Sequence, residues 1–419
     1  MNLTCQQLTL PNGLKVVLTP MPTESVTVSL LVRVGSRDET AKLNGISHFF
    51  EHMVFKGTKK WPTPMAVNRM IDSVGGVFNA MTSQEHTGFW VKIAKTHLPL
   101  ALDFVNQTVF HSLLPQAELE KERGVILEEI KMFEDNPMRH VYDQFVSQVY
   151  SSTALGRPII GLPENIKKMT RSHLVNHLQS WYQPQNMVLT VAGGLDRETE
   201  KLIGSVFADT GKDFNLKHGS VKLADKGGVK LVKKDIQQFH FCLGLTTFER
   251  IHPDRYVLGL LSLILGGNTS SRLWNEIREK RGLVYYIHAG IDSYFDTGYL
   301  VVRAGCDVNR AEEAIKITVG QLQKMTGKIT DQELAEAKEY IKGHLALSLE
   351  DSQEVADLFG EDLLIEGKTK TIREIIAGVE AVTTKQVQAL TKKLLADNQL
   401  HLTVVSPLAD EAKFAKLVM

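Results

Sequence analysis

His48-Phe49-Phe50-Glu51-His52 sets two imidazoles four residues apart with a carboxylate between them. On a helix, positions i and i+4 are neighbours on one face, so both rings can reach one cation, and Glu51 lies on the same side. Zinc suits two nitrogens, one carboxylate and an open position, and a second carboxylate beside the water there makes the site hydrolytic. In 419 residues with 14 His and 48 Asp+Glu, this spacing arises by chance about 0.05 times. A metal site is therefore the better reading than two histidines satisfied at a core edge.

A third ligand must be acidic, remote in sequence and aimed inward. A helical pattern over 116–134 offers Glu118, Glu120, Glu122, Glu128, Glu129 and Glu134. Glu122, Val125, Ile126, Glu129 and Phe133 fall on one stripe that is otherwise apolar, whereas Glu128 shares its side with Lys121, Gly124, Lys131 and Asp135. A carboxylate on an apolar stripe needs a cation or donors to offset its desolvation. Glu122 and Glu129 are the two that qualify, and this reading leaves both open.

The elements that must hold these groups come in two sets. The pair of imidazoles sits in a helical stretch over 44–55, with Gly57 as a C-terminal stop. Thr170–Val191 echoes Thr383–Val404 at an offset of 213 residues (383 − 170), with Leu189-Thr190-Val191 falling on Leu402-Thr403-Val404. Glu118-Leu119 echoes Glu333-Leu334 at 215 (333 − 118). Strand signals open each half: 7–10 and 14–18 around Pro11-Asn12-Gly13, then 26–34, and later 229–232 and 239–245. The expected fold class is α+β, two homologous domains related by duplication, each a largely antiparallel sheet packed with helices. The expected boundaries are 1–212 for the metal domain, 213–228 for a Gly-bearing linker and 229–419 for a domain without metal.

Composition narrows the function. Lys+Arg and Asp+Glu number 48 each, so there is no electrostatic case for a nucleic-acid or anionic-membrane partner. Cys5, Cys242 and Cys306 are widely spaced, which suits a reducing compartment and argues against a thiolate zinc site. The opening residues carry neither a basic nor an apolar run, and the apolar stretch 256–265 is about half a membrane span. The expectation is a cytoplasmic protein.

These residues carry a resemblance. His48-Phe-Phe-Glu-His-Met-Val-Phe-Lys-Gly-Thr58, Glu122-Arg-Gly-Val-Ile-Leu-Glu-Glu-Ile130 and Asn79-Ala-Met-Thr-Ser-Gln-Glu-His-Thr87 resemble the inverted-motif zinc peptidases, the family of pitrilysin, insulin-degrading enzyme and mitochondrial processing peptidase. The chain's length is that of the shorter, two-domain branch. The resemblance implies one Zn2+ per chain held by His48, His52 and Glu129, with Glu51 as general base and Glu122 supporting the ligands from behind. It implies that Asn79, Ala80, Met81 and Thr82 take up peptide substrate as an added strand, and that Phe55 and Met81 line a pocket for a bulky apolar side chain. In the second half, the position matching Glu129 is His344, and no second metal motif occurs.

Leu265-Gly266-Gly267-Asn268 lacks the G-K-[ST] of a phosphate loop. The resemblance instead matches Arg278 and Tyr285 to a pair that contacts substrate opposite the zinc. Taken alone, Arg278 reads as a solvated helix residue and Tyr285 as a strand residue, with Arg281 and Tyr286 adjacent to each. Longer family members enclose a chamber with four such domains. By resemblance, then, two copies of this chain form a homodimer, the metal of one facing Arg278 and Tyr285 of the other. The function implied is a zinc endopeptidase acting on unfolded peptides or presequence-like segments. A catalytically silent core subunit of the same family and a non-peptidase metal-binding module are the alternatives.

Overall fold

The computed structural model describes residues 3–151, 153–208, 218–221, 227–397, 399–408 and 411–418. Its first sheet comprises β1 (Gln6–Thr9), β2 (Lys15–Pro20), β3 (Ser25–Val32), β4 (Val77–Thr82), β5 (Thr87–Ala94) and β6 (Met187–Gly193), in the order β1-β2-β6-β3-β5-β4. The second comprises β7 (Gly228–Lys233), β8 (Gln238–Thr247), β9 (Val284–Ser293), β10 (Gly298–Asp307) and β11 (His401–Ser406), in the order β7-β11-β8-β10-β9. Setting aside β1, the two orders correspond strand for strand. Each has one parallel pair, β2 with β6 and β7 with β11, among antiparallel neighbours. The fold is α+β with two sheets of one plan. The repeat seen in sequence falls on β6 and β11.

Local chemistry explains the edges of the first sheet. Pro11-Asn12-Gly13 turns β1 into β2, with Gly13 at φ 89° and the Leu10 N–H donating to the Leu14 carbonyl at 2.9 Å. From Val26 to Val32 every residue of β3 is buried whichever face it points to, so this strand is covered on both sides. One cover is the helix Ser352–Glu361: Ser352 shares a 2.8 Å hydroxyl contact with Thr27, and Gly360 lies where a Cβ would come within 2.9 Å of Leu31.

The compact units are not contiguous stretches of chain. One consists of Met1–Ile130, Arg157–Gly219 and His344–Glu374, the other of Lys131–Gly156, Ser220–Gly343 and Ile375–Met419. Each half of the chain thus lends a helical segment to the unit built mainly by the other half. The expected linker, 213–228, lies mostly outside the described residues. In the second unit the lent helix is Pro137–Val149, whose Val141, Phe145 and Val149 recur every four residues and pack with Cys242, Tyr299, Val301 and Val405. Gly244 of β8 makes room for it, since a Cβ there would sit 2.7 Å from the Phe145 ring. Phe239, Phe241 and Leu243 belong to a separate, larger core in the same unit. Among the described residues, no helix is long and apolar enough to cross a membrane.

Candidate metal centre

The expected helix over 44–55 is shorter, Ile46–Met53, and its apolar side faces inward: Ile46, Phe49, Phe50 and Met53 are buried. It begins after Gly45 at φ 97° and closes at Met53, before Gly57 is reached. Phe50 anchors it from behind, 4.6 Å from the Tyr182 ring and 6.0 Å from His177 of the helix Arg171–Trp181. The glutamates come from Gln116–Asp135, close to the range expected. Its buried stripe is Leu119, Glu122, Ile126 and Ile130; Val125 is 50% exposed, so the stripe is rotated from the one drawn in sequence, and Glu129 lies at its rim.

These two helices bring His48, His52 and Glu129 together, with ligand atoms all within 4.8 Å of one another. Among the described residues, this is the only such grouping of three His, Cys, Asp or Glu. Glu129 Oε2 is 3.7 Å from His48 Nε2 and 3.6 Å from His52 Nε2, against the roughly 3.3 Å that a tetrahedral zinc with ~2.0–2.1 Å bonds requires. The two nitrogens and the carboxylate are the right donors at nearly the right spacing, so the residues fit zinc.

The surroundings orient each of these side chains. His52 Nδ1 is 3.1 Å from Glu122 Oε2, and the Lys56 ammonium holds the other Glu122 oxygen at 2.7 Å. With a metal in place, a proton on Nδ1 donated to that carboxylate would free Nε2 to serve as the ligand atom. Burial alone would depress His52, but its hydrogen bonds to Glu122 and Glu129 outweigh it and push the imidazole up to about 9. His48 goes the other way: burial, then repulsion from His52, hold it down at about 4 against the pull of Glu129. Burial raises Glu51, opposed by the Thr82 hydroxyl, which donates to Glu51 Oε2 at 2.6 Å.

Thr82 closes β4, which among the described residues pairs only with β5 and forms the edge of its sheet. Along it Phe78, Ala80 and Thr82 turn one way and Val77, Asn79 and Met81 the other, exposed. Phe55 is half-buried and packs 5.0 Å from Phe78. Phe55 and Met81, expected to line one pocket, therefore belong with opposite faces of β4. The Asn79 side-chain oxygen Oδ1 accepts from the Ala80 N–H at 2.9 Å.

In the second unit, Arg278 donates to the Val284 and Tyr285 carbonyls at 2.7 and 2.6 Å, fixing the start of β9, which is an edge strand. Tyr285 is 54% exposed. Tyr286 turns to the opposite face, its hydroxyl 3.1 Å from His240 Nδ1, and Arg281 pairs with Glu276 at 2.8 Å. Of the two adjacent tyrosines, Tyr285 is the one that presents its ring to solvent.

Comparison with known proteins bears on the family. A family model described as Insulinase (Peptidase family M16) matches residues 15–162, and one described as Peptidase M16 inactive domain matches 168–341. An uncharacterized zinc protease of Bacillus subtilis, YmxG, is 36% identical over 413 residues, covering 96% of this chain and 97% of its own. An uncharacterized zinc protease of Streptomyces coelicolor is 34% identical over 420 residues, covering 97% and 91%. Among solved structures, a protease from Helicobacter pylori superposes with a TM-score of 0.91 at 27% identity, over 97% of this chain and 100% of its own. A chain of complex III2 from Candida albicans has the same fold, with a TM-score of 0.84 at 17% identity over 99% of each chain. Identity sustained along nearly the whole chain, with the His48, His52 and Glu129 cluster in the first matched segment, places this protein in the M16 family of peptidases.

Proposed function

We propose that the chain is a zinc-dependent endopeptidase that cleaves unfolded peptides or presequence-like segments within a chamber closed by two copies of itself. His48, His52 and Glu129 would hold one zinc per chain. When bound, zinc supplies a Lewis acid that polarises the scissile carbonyl and makes a nearby water easier to deprotonate. Glu51 takes that proton and returns it to the departing amine, while the Thr82 hydroxyl keeps its carboxylate aimed. The open side of β4 receives the peptide as a further strand through the backbone of Asn79, Ala80, Met81 and Thr82, which gives affinity with little sequence selectivity. Phe55 and Met81 contact substrate side chains. Arg278 serves the substrate carbonyl and Tyr285 the developing oxyanion, both from the partner copy. We place the protein in the cytoplasm, a reducing compartment that suits three free cysteines.

The observation that carries the reading is Glu51, a carboxylate hydrogen-bonded to the strand edge and one residue from a metal ligand. A catalytically silent core subunit has no use for such a group. The test is zinc content together with cleavage of a quenched unfolded peptide, with and without a chelator, for wild type and Glu51→Gln. Chelator-sensitive cleavage that Glu51→Gln abolishes supports the peptidase. Zinc without cleavage in the wild type points to the silent subunit.

A further inference from the structure

The helix that presents His48, Glu51 and His52 is only eight residues long, and its N-cap, Gly45, offers no side chain to its free N–H groups. Two turns are too few to be stable without outside support. His48 is the third residue of the helix, inside the turn whose N–H groups have no partner within the helix. Any shift of that turn is a shift of a ligand.

The partner is supplied from six residues before the cap. Glu39 is buried, and its carboxylate accepts from the Gly45 N–H at 2.7 Å, the Ser47 N–H at 2.9 Å and the Asn44 side-chain amide at 2.9 Å. A carboxylate at this end also complements the positive pole of the helix. The same corner is locked from the other side. Asn44 donates to the Pro158 carbonyl at 2.9 Å, and Arg157 donates to the Glu39 carbonyl. Gly45 and Gly161 pack backbone to backbone, so a Cβ on Gly45 would meet the Gly161 Cα at 2.7 Å. Glu39 meets three donors on its two oxygens. An amide in its place must turn its NH2 toward an N–H on one side or the other.

We infer that Glu39 is a positioning residue of the metal centre: by accepting from the Gly45 and Ser47 N–H groups at the start of the histidine helix, it sets where His48 stands relative to His52 and Glu129. This rests on the zinc reading given above. Glu39 touches neither ligand nor substrate, and its effect is transmitted through the first helical turn.

The test compares wild type, Glu39→Gln and Glu39→Asp on the full chain by chelator-competition titration of zinc and by the visible spectrum of the cobalt(II)-loaded protein, with circular dichroism as the check on folding. Glu39→Gln is expected to weaken zinc binding by about tenfold or more and to change the cobalt band, with far-ultraviolet dichroism retained. Glu39→Asp, which keeps an acceptor-only carboxylate on a shorter stem, is expected to fall between. If Glu39→Gln does not fold, Glu39→Asp decides by the same two readouts. Wild-type zinc affinity and an unchanged cobalt spectrum in the folded variants, even with a lowered melting temperature, would reduce Glu39 to an ordinary helix cap and overturn the assignment. A wild type that loads neither zinc nor cobalt overturns the metal reading and this assignment with it.

Discussion

Glu122 sits one step behind the proposed metal ligands, and its carboxylate sets which nitrogen of His52 faces Glu129. Replacing it by Gln keeps a shape that fits but loses the charge shared with Lys56. We expect Glu122→Gln to weaken zinc binding by about 10- to 100-fold, read by chelator competition; unchanged affinity would show that His52 needs no such orientation. Glu51→Gln should keep its zinc and lose cleavage by about 10³-fold, because an amide cannot accept the proton. Glu129→Gln should lose zinc while Glu128→Gln keeps it; the reverse pattern would mean that the wrong neighbour was chosen. The histidine pair and Glu51 are legible in sequence because helical spacing is local. Glu129 could be narrowed only to a choice with Glu122, since the stripe drawn through Val125 does not match the buried side of the helix. The Thr82 hydroxyl left no mark in the spacing, because it reaches Glu51 from another element; Glu39 lies near the helix but ahead of the positions where a capping side chain is looked for.

At the scale of elements, the histidine helix is set against a second helix whose His177 is buried beside Phe50 and Tyr182 with Nε2 unpartnered. Burial holds this imidazole at about 3, far below its ordinary 6.5. The folded state therefore refuses a proton that the unfolded chain accepts. The stability tied to a neutral His177 is complete above about pH 6.5 and is lost as pH falls toward 3. Between pH 7.5 and 5.0, metal-free wild type should lose about 2 kcal/mol more stability than His177→Phe, measured by urea unfolding. Equal losses in both would show that His177 is not kept neutral by its surroundings. Strands were readable here because turn residues and repeated segments mark them; β6 and β11 take in the Leu-Thr-Val ends of the first echo, while the second falls on the helices Gln116–Asp135 and Asp331–Ser348. The lent helices were not readable, since nothing in 131–156 or 344–374 tells which distant sheet will cover its apolar side.

For the whole molecule, the proposed dimer makes a stoichiometric prediction. Glu51→Gln and Tyr285→Phe, each inactive alone, should give mixed dimers with one complete site and one site lacking both groups. With free exchange, half of the dimers are mixed and activity returns to about a quarter of wild type. If mass measurements confirm exchange and activity stays at the level of the single variants, the sites are not completed by the partner copy. The two lent segments carry a further consequence, which concerns the order of events during synthesis. The first unit ends its early portion at Gly219 but lacks the cover for β3 until His344–Glu374 has been made, 155 residues later (374 − 219). At roughly 5–20 residues per second, the ribosome leaves that sheet face open for about 8–30 s. The nascent chain must carry an exposed, half-finished sheet through that interval, so the protein cannot be assembled on the ribosome one half at a time.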